Sequence, residues 1–262
     1  MSDYTIPKVW EENQDQKENK FGNQPVAGSR FEQKLPVGEQ QLQVYSLNTP
    51  NGMKATIMLE ELKEAGITDA KYDLYKIDIG DGDQFGSDFV KINPNSKIPA
   101  MVDYSYDEPI RVFESVSILL YLADKFDKFV PNSLAERTEL MNWLFWQTGA
   151  APFVGGGFGH FYYYAPYAQE YPIDRYTMET KRQLDLLDRH LADKEYINGD
   201  EYTIADIAIW PWYGRLVQGE LYGDAATFLN AQEYKNLNAW ADKIAQRPAI
   251  KRAINIAYKD IK

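Results

Sequence analysis

The chain has 262 residues and not one cysteine. That absence excludes structural disulfides, thiolate zinc sites, a Cys-X-X-Cys redox pair and a cysteine nucleophile. Histidine is almost as scarce, with only His160 and His190, and neither Gly-X-Ser-X-Gly nor His-Glu-X-X-His occurs, so hydrolase and zinc-protease chemistry has no footing. No run approaches the roughly 18 apolar residues of a membrane span. The opening Met1-Ser2-Asp3-Tyr4-Thr5 leads into Glu11-Glu12 without an apolar core for export, so a cytoplasmic location and no membrane partner are expected. Positive charge is also short: a net charge of −11 repels phosphate backbones, and no basic stripe interleaved with aromatics overrides it, which sets nucleic acid aside as a partner. Asp81-Gly82-Asp83 resembles the start of a calcium loop, but its fifth and twelfth positions are Phe85 and Ile92, so no metal is expected. The glycines between 155 and 159 lack the lysine of a phosphate cradle.

What is present reads as an arm and two domains. Residues 1–40 are polar and irregular, with a Gly22-Asn23-Gln24-Pro25 turn, and two readings stay open: a disordered tail, which such composition usually forms, or an ordered arm laid across a folded surface by the apolar anchors Trp10, Phe21, Phe31 and Leu35. Over 41–127 the order is strand (41–47), helix from Met53 with Met58, Leu62 and Ala65 on one face, strand (72–79), short helix (85–92), a strand headed by Pro99, a strand at Ile110 and a helix over 115–126. This alternation describes a thioredoxin-like α/β domain. Beyond Phe129-Val130-Pro131-Asn132 strand signals vanish and a second, all-α domain is expected over 134–258. Its helices cover 135–147 and 175–191, then a capping box at Thr203 and Asp206, then 233–246 closed by Arg247-Pro248.

Residues 93–122 carry the strongest functional signal. Pro99 has no N–H to give to a ladder, and Ile98-Pro99 is a bond that can be cis at modest cost, leaving the Ile98 backbone unengaged. Glu114 and Ser115 stand where a strand runs into a helix, and N–H groups there attract a carboxylate or phosphate. An open strand edge beside a helix N-terminus suits a small peptide with an anionic end. The plainer alternative is that Pro99 only starts a strand and Ser115 only caps a helix.

Together these residues resemble the glutathione-binding half of the glutathione transferase superfamily, and the Thr203-Ile204-Ala205-Asp206 box with its aromatic helix resembles that family's helical domain. Thr49-Pro50-Asn51-Gly52, Gly80-Asp81-Gly82-Asp83-Gln84-Phe85, Asn142-Trp143-Leu144-Phe145-Trp146, the glycine-rich 155–161 segment and the long arm are similar to the bacterial nu class.

The resemblance implies glutathione as co-substrate, up to two molecules per subunit, and a homodimer. It implies a catalytic pair, Thr49 and Asn51, that holds the thiolate by hydrogen bonds, with Pro50 between them. Ile98 before Pro99 would pair the cysteinyl backbone, and Glu114 and Ser115 would receive the γ-glutamyl end. Asn23, Gln84 and Arg175 would add contacts, with Lys97 a further local cation. Thr148 departs from the class, which carries glutamine there. The implied activity is glutathione-dependent reduction of small disulfides, the sulfur arriving on the ligand. Conjugation to electrophiles or hydroperoxide reduction, and a non-catalytic binding module of the same fold, stay open beside it. His160 among Phe158, Phe161 and Tyr162–Tyr164 is expected to be a packed core histidine, and the aromatic cluster serves either the core or a second-substrate pocket.

Overall fold

The computed structural model describes residues 5–13 and 24–261. Four strands, β1 (Leu42–Ser46), β2 (Tyr72–Lys76), β3 (Ala100–Asp103) and β4 (Ile110–Phe113), form one mixed sheet in the order β2-β1-β3-β4. β1 runs parallel to β2, with Val44 opposite Leu74, and antiparallel to β3, with Val44 opposite Met101. β3 and β4 close the far edge as an antiparallel pair. A parallel pair needs a crossover, and the helix α1 (Pro50–Glu64) supplies it. α2 (Ser87–Ile92) precedes β3, and α3 (Ser115–Phe126) follows β4. The second expected strand ends at Lys76 rather than Ile79: Ile77 N–H donates to Ser46 O as the last bond of the β1–β2 ladder, and β1 itself stops at Ser46, so nothing is left to pair with Asp78 and Ile79.

β1 is buried along its whole length, so its two faces seed two clusters. Leu42 and Val44 join α1, α3 and the helical domain in one continuous core, whereas Tyr45 stacks on Tyr75 beside Phe89 and Ala100, with Leu35 of the arm packed on top. The arm lies along this second face. Arg30 N–H donates to Phe85 O at 2.9 Å, Gln33 N–H to Ser87 Oγ at 3.1 Å and Leu35 N–H to an Asp88 carboxylate oxygen at 3.2 Å. Of the four expected anchors, Phe31 bridges to Gly86 and Leu35 is packed, Trp10 is largely exposed, and Phe21 lies outside the described residues.

The remainder is helical. α4 (Leu134–Pro152), capped by Ser133, passes directly into a π-helical stretch, Phe153–Tyr164, and α5 (Glu170–His190) runs 21 residues. The expected capping box is present: Thr203 Oγ1 accepts from Ala205 N–H, and Asp206 accepts from Thr203 N–H at 3.0 Å, opening α6 (Ile204–Ile209). Asp206 is fully buried and burial pushes its carboxyl up to about 6, although Ile197 N–H, Thr203 N–H and Trp240 Nε1 all donate to it. A π turn (Trp210–Gly214) and the short helices α7 (Arg215–Val217) and α8 (Ala225–Phe228) follow, then α9 (Lys235–Ala245).

The helix before Arg247-Pro248 ends there as expected, at Ala245, but it is not the last: Pro248 stands at the first position of another, α10 (Pro248–Ile254). Its purpose lies in tertiary pairing: Arg247 forks onto Glu61 at 2.6 and 2.8 Å, and Arg252 reaches Glu60 at 2.6 Å. Two nearly buried carboxylates on α1 are thereby neutralised. α1 is buried almost all round, packed between sheet, helical domain and α10.

Candidate functional site

A cleft opens where the two halves meet, at the C-terminal end of β1 and the N-terminus of α1. It has two lobes that share Thr49, Pro50, Asn51, Ile79, Lys97, Glu114, Ser115 and Trp212. The smaller, about 490 Å³, is polar and bounded by Gln84, Asn93, Asn95, Ser96, Ile98 and Pro99. The larger, about 1020 Å³, is walled by Leu120, Met141, Leu144, Phe145, Tyr164 and Tyr222. Thr49, Asn51 and Trp212 stand at their common boundary.

Local sequence explains the shared wall. Pro50 at the first position of α1 demands no N–H partner, and Thr49 Oγ1 caps the helix by accepting from Gly52 N–H at 3.2 Å. An accepting hydroxyl oxygen keeps its proton, so the cap leaves Thr49 O–H free to donate into the cleft. Capping and donation therefore coexist rather than compete. Gly52 is required, since a Cβ there would lie 1.9 Å from Leu47 O. Tyr45 is spent elsewhere: its hydroxyl donates to Pro36 O of the arm at 2.8 Å, and burial holds the phenol far above its ordinary value. Ser46 is fully buried behind the strand.

On the polar side, Ile98-Pro99 is cis and the ladder begins only at Ala100, so the Ile98 backbone lies at the open strand end. The preceding loop is fixed by Asn93, whose Nδ2 donates to Lys97 O at 2.6 Å and whose Oδ1 accepts from Asn95 N–H at 2.9 Å. Glu114 has φ +69°, a region that costs a side-chain-bearing residue on the order of 1–3 kcal/mol. It thereby turns β4 sharply into α3, with its carboxylate exposed and Ser115 at the first helical position. Gln84 is buried, and its Oε1 has no partner among the described residues.

Three residues in the wall were not legible in the sequence: Lys54, Gln147 in its actual role, and Trp212. Lys54 is 1% exposed, and its Nζ donates to Ser115 Oγ at 3.2 Å and to Gln147 Oε1 at 2.9 Å, tying α1 to α3 and α4. Burial pushes this ammonium down to about 7, and the Glu114 charge works partly against that. Its one sequence signal is the i, i+3 spacing from Asn51, which puts both on one face of α1. Trp212 Nε1 donates to Asn51 Oδ1 at 2.9 Å across 161 residues of chain.

The other expected residues are dispersed. Thr148 lines the apolar lobe, with its hydroxyl donating to Leu144 O at 3.0 Å, while Gln147 beside it turns inward to Lys54. Arg175 is exposed on α5 and outside the residues lining the cleft. Asn23 lies outside the described residues. His160 is exposed rather than packed in the core, its ring edge-on to Phe161. The aromatic cluster serves both uses: Phe158 is fully buried, whereas Tyr164 and Tyr222 line the cleft. Among the described residues no group of three or more carboxylate or imidazole side chains could hold a metal.

Comparison with known proteins agrees with this architecture. Models of the glutathione S-transferase N-terminal and C-terminal domains match residues 50–125 and 170–243. The chain is 62% identical to the disulfide-bond oxidoreductase YghU of Escherichia coli (strain K12), over 88% of this chain and 80% of that one. It superposes on the crystal structure of glutathione transferase YghU from Streptococcus pneumoniae, complexed with glutathione, with a TM-score of 0.94 and 61% identity, covering 99% of this chain and all of that one. A glutathione transferase from Burkholderia graminis with two glutathione molecules bound per subunit aligns with a TM-score of 0.75 and 37% identity, over 82% of this chain and 88% of that one. With both domain models and these relatives matching a cleft of this form, the chain belongs to the glutathione S-transferase family.

Proposed function

We propose that this chain is a glutathione-dependent disulfide-bond oxidoreductase of the nu class, acting on small disulfides. One observation carries the reading: a protein without cysteine places two neutral hydrogen-bond donors, Thr49 and Asn51, on the wall between a polar lobe and an apolar one. In the polar lobe the tripeptide pairs its cysteinyl backbone with Ile98 beside Pro99. Its γ-glutamyl end meets Glu114, Ser115 and the N-terminus of α3. Gln84 offers its unpartnered oxygen, Pro50 shapes the floor, and Lys97 supplies a cation at the rim. The sulfur then rests at Thr49 Oγ1 and Asn51, which stabilise the thiolate against a free pKa near 8.5.

That thiolate attacks one sulfur of a disulfide RSSR held in the apolar lobe. A glutathionyl mixed disulfide forms and RS⁻ leaves, taking up the proton that glutathione gave up. A second glutathione thiolate attacks the glutathionyl sulfur, and oxidised glutathione and the second RS⁻ are released. Two glutathione thiols and one disulfide thus become oxidised glutathione and two thiols. The two molecules bound per subunit in the Burkholderia graminis relative support a second glutathione here. Thr148 borders the lobe it would occupy. Arg175 and Asn23 are proposed as outer contacts, for carboxylates that extend past the lining residues. A homodimer in the cytoplasm, where the glutathione pool is kept reduced, completes the reading.

The apolar lobe also favours a second reading, conjugation to electrophiles or reduction of hydroperoxides. Turnover of bis(2-hydroxyethyl) disulfide, an aryl halide and cumene hydroperoxide at millimolar glutathione separates them. The disulfide is expected to be turned over fastest by a wide margin. A rate with the aryl halide alone, or none with any of the three, defeats the proposal.

A further inference from the structure

An asparagine amide presents an acceptor on one side and a donor on the other, so only one of its two orientations can serve a thiolate. In this cleft, the surroundings of Asn51 choose that orientation. Its Oδ1 accepts from Trp212 Nε1 at 2.9 Å and, more weakly, from Ser115 Oγ at 3.5 Å. Ser115 Oγ in turn accepts from Lys54 Nζ. An indole N–H can only donate, so Trp212 alone requires an acceptor at this place, and Asn51 Oδ1 supplies it. Turning the amide over would set Nδ2 against the Trp212 N–H, donor against donor. Nδ2 itself has no partner among the described residues, and Asn51 lines both lobes.

The indole is held in place independently of Asn51. Trp212 lies in the π turn Trp210–Gly214, whose first residue is anchored by Trp210 Nε1 donating to Ala241 O at 3.0 Å. Its ring also passes so close to Gly155 that a Cβ at that position would approach a ring carbon to 2.6 Å. The donor thus belongs to the helical domain, while the residue it orients belongs to the α/β domain.

We propose that Trp212 is a positioning residue for disulfide exchange: its indole N–H holds the Asn51 amide with Nδ2 toward the glutathione sulfur. The proposal rests on the reading of Asn51 as a thiolate donor. It assigns the helical domain a part in thiol activation beyond walling the substrate lobe.

Trp212→Phe keeps a ring and deletes only the polar contact. With glutathione and bis(2-hydroxyethyl) disulfide, kcat at pH 7 is expected to fall about tenfold. The lower limb of the pH profile of kcat should move up by about one unit, since a unit of thiol pKa corresponds to about a tenfold change. KM for glutathione should stay within about twofold, because phenylalanine keeps a ring in the shared wall and the Ile98 backbone and the α3 N-terminus are unchanged. Introduced into Asn51→Ala, the same change should cost less than about twofold, as contacts acting through one residue are not additive. Asn51→Asp still accepts from Trp212 but offers no donor, and should lose at least as much rate as Asn51→Ala. It also keeps the proposal open to refutation if Trp212→Phe misfolds.

An unshifted pH profile with full kcat in Trp212→Phe overturns the proposal while a slow Asn51→Ala preserves the thiolate reading. So does an equal loss in both backgrounds, or full rate in Asn51→Asp. Full rate in Asn51→Ala defeats the thiolate reading and this proposal with it.

Discussion

The two lobes of the cleft are built in opposite ways. The polar lobe is made of backbone and short side chains at element ends: the Ile98 main chain beside a cis proline, the α3 N-terminus behind Glu114, and the Thr49 cap of α1. Such groups cannot change rotamer far, so they suit a ligand part that never varies. The apolar lobe is made of side chains projecting from α3, α4 and the π-helical stretch, among them Met141 and the 70%-exposed Phe145. These move easily, which suits substrates that differ from one another. On the proposed function this difference is a division of labour: one wall would recognise, the other accommodate, with the chemistry at the seam.

The sharpest way to break that comparison is at the seam. Thr49→Ala and Asn51→Ala together should lower kcat/KM for a small disulfide by about 10²–10³, the range for losing preorganised donors. Unfolding stability should fall only by the amount expected for a lost cap, about 1 kcal/mol. A steady-state assay paired with a thermal melt checks this, and an unfolded double variant or an unchanged rate contradicts it.

A smaller effect tests the charge buried behind the seam, on the side of the apolar lobe. Lys54 has a folded pKa of about 7 against 10.5 in a model peptide, so between those values the unfolded chain holds a proton that the folded chain has released. Its contribution to stability is therefore fully present above about 10.5 and lost as pH falls through about 7. Lys54→Met has no proton to release. From pH 7 to pH 9 the wild type should gain on that variant by on the order of 1–2 kcal/mol in urea unfolding. A gap that is constant with pH would show that Lys54 is not buried in solution as it is here.

The smallest effect sharpens the other wall. Phe145→Ala should raise KM for an aromatic disulfide about threefold, and KM for glutathione by less than about 1.5-fold, since an exposed ring contributes only part of a buried one. Equal changes in both constants would mean that the lobes are not separate sites.

Much of this was legible in the residues. Pro99 lacks an N–H and Glu114-Ser115 stands at a strand-to-helix junction, so both announced an open edge beside a helix N-terminus. The Thr203 and Asp206 capping box and the order of strands and helices over 41–127 are local patterns of the kind that sequence reveals. The boundaries drifted where partners decided them. β2 stops at Lys76 because its partner β1 ends at Ser46, and Pro248 opens a further helix whose Arg252, with Arg247 just before it, pairs with the carboxylates of α1.

Lys54 and His160 lie where no local pattern in the sequence places them. A lysine on a helix normally lies in water, and nothing local says that α1 is covered on every side. An imidazole among aromatic residues normally packs, and nothing local says that the π-helical turn carries His160 outward.

The sequence alone determined the secondary-structure order, the family resemblance and the need for sulfur from outside, because periodicity, caps and composition act over a few residues or over the whole chain at once. Tertiary structure alone decided which side chains share the seam. Lys54 meets Gln147 across 93 positions and Asn51 meets Trp212 across 161, and a hydrogen bond depends on distances of about 3 Å that no spacing along a chain encodes.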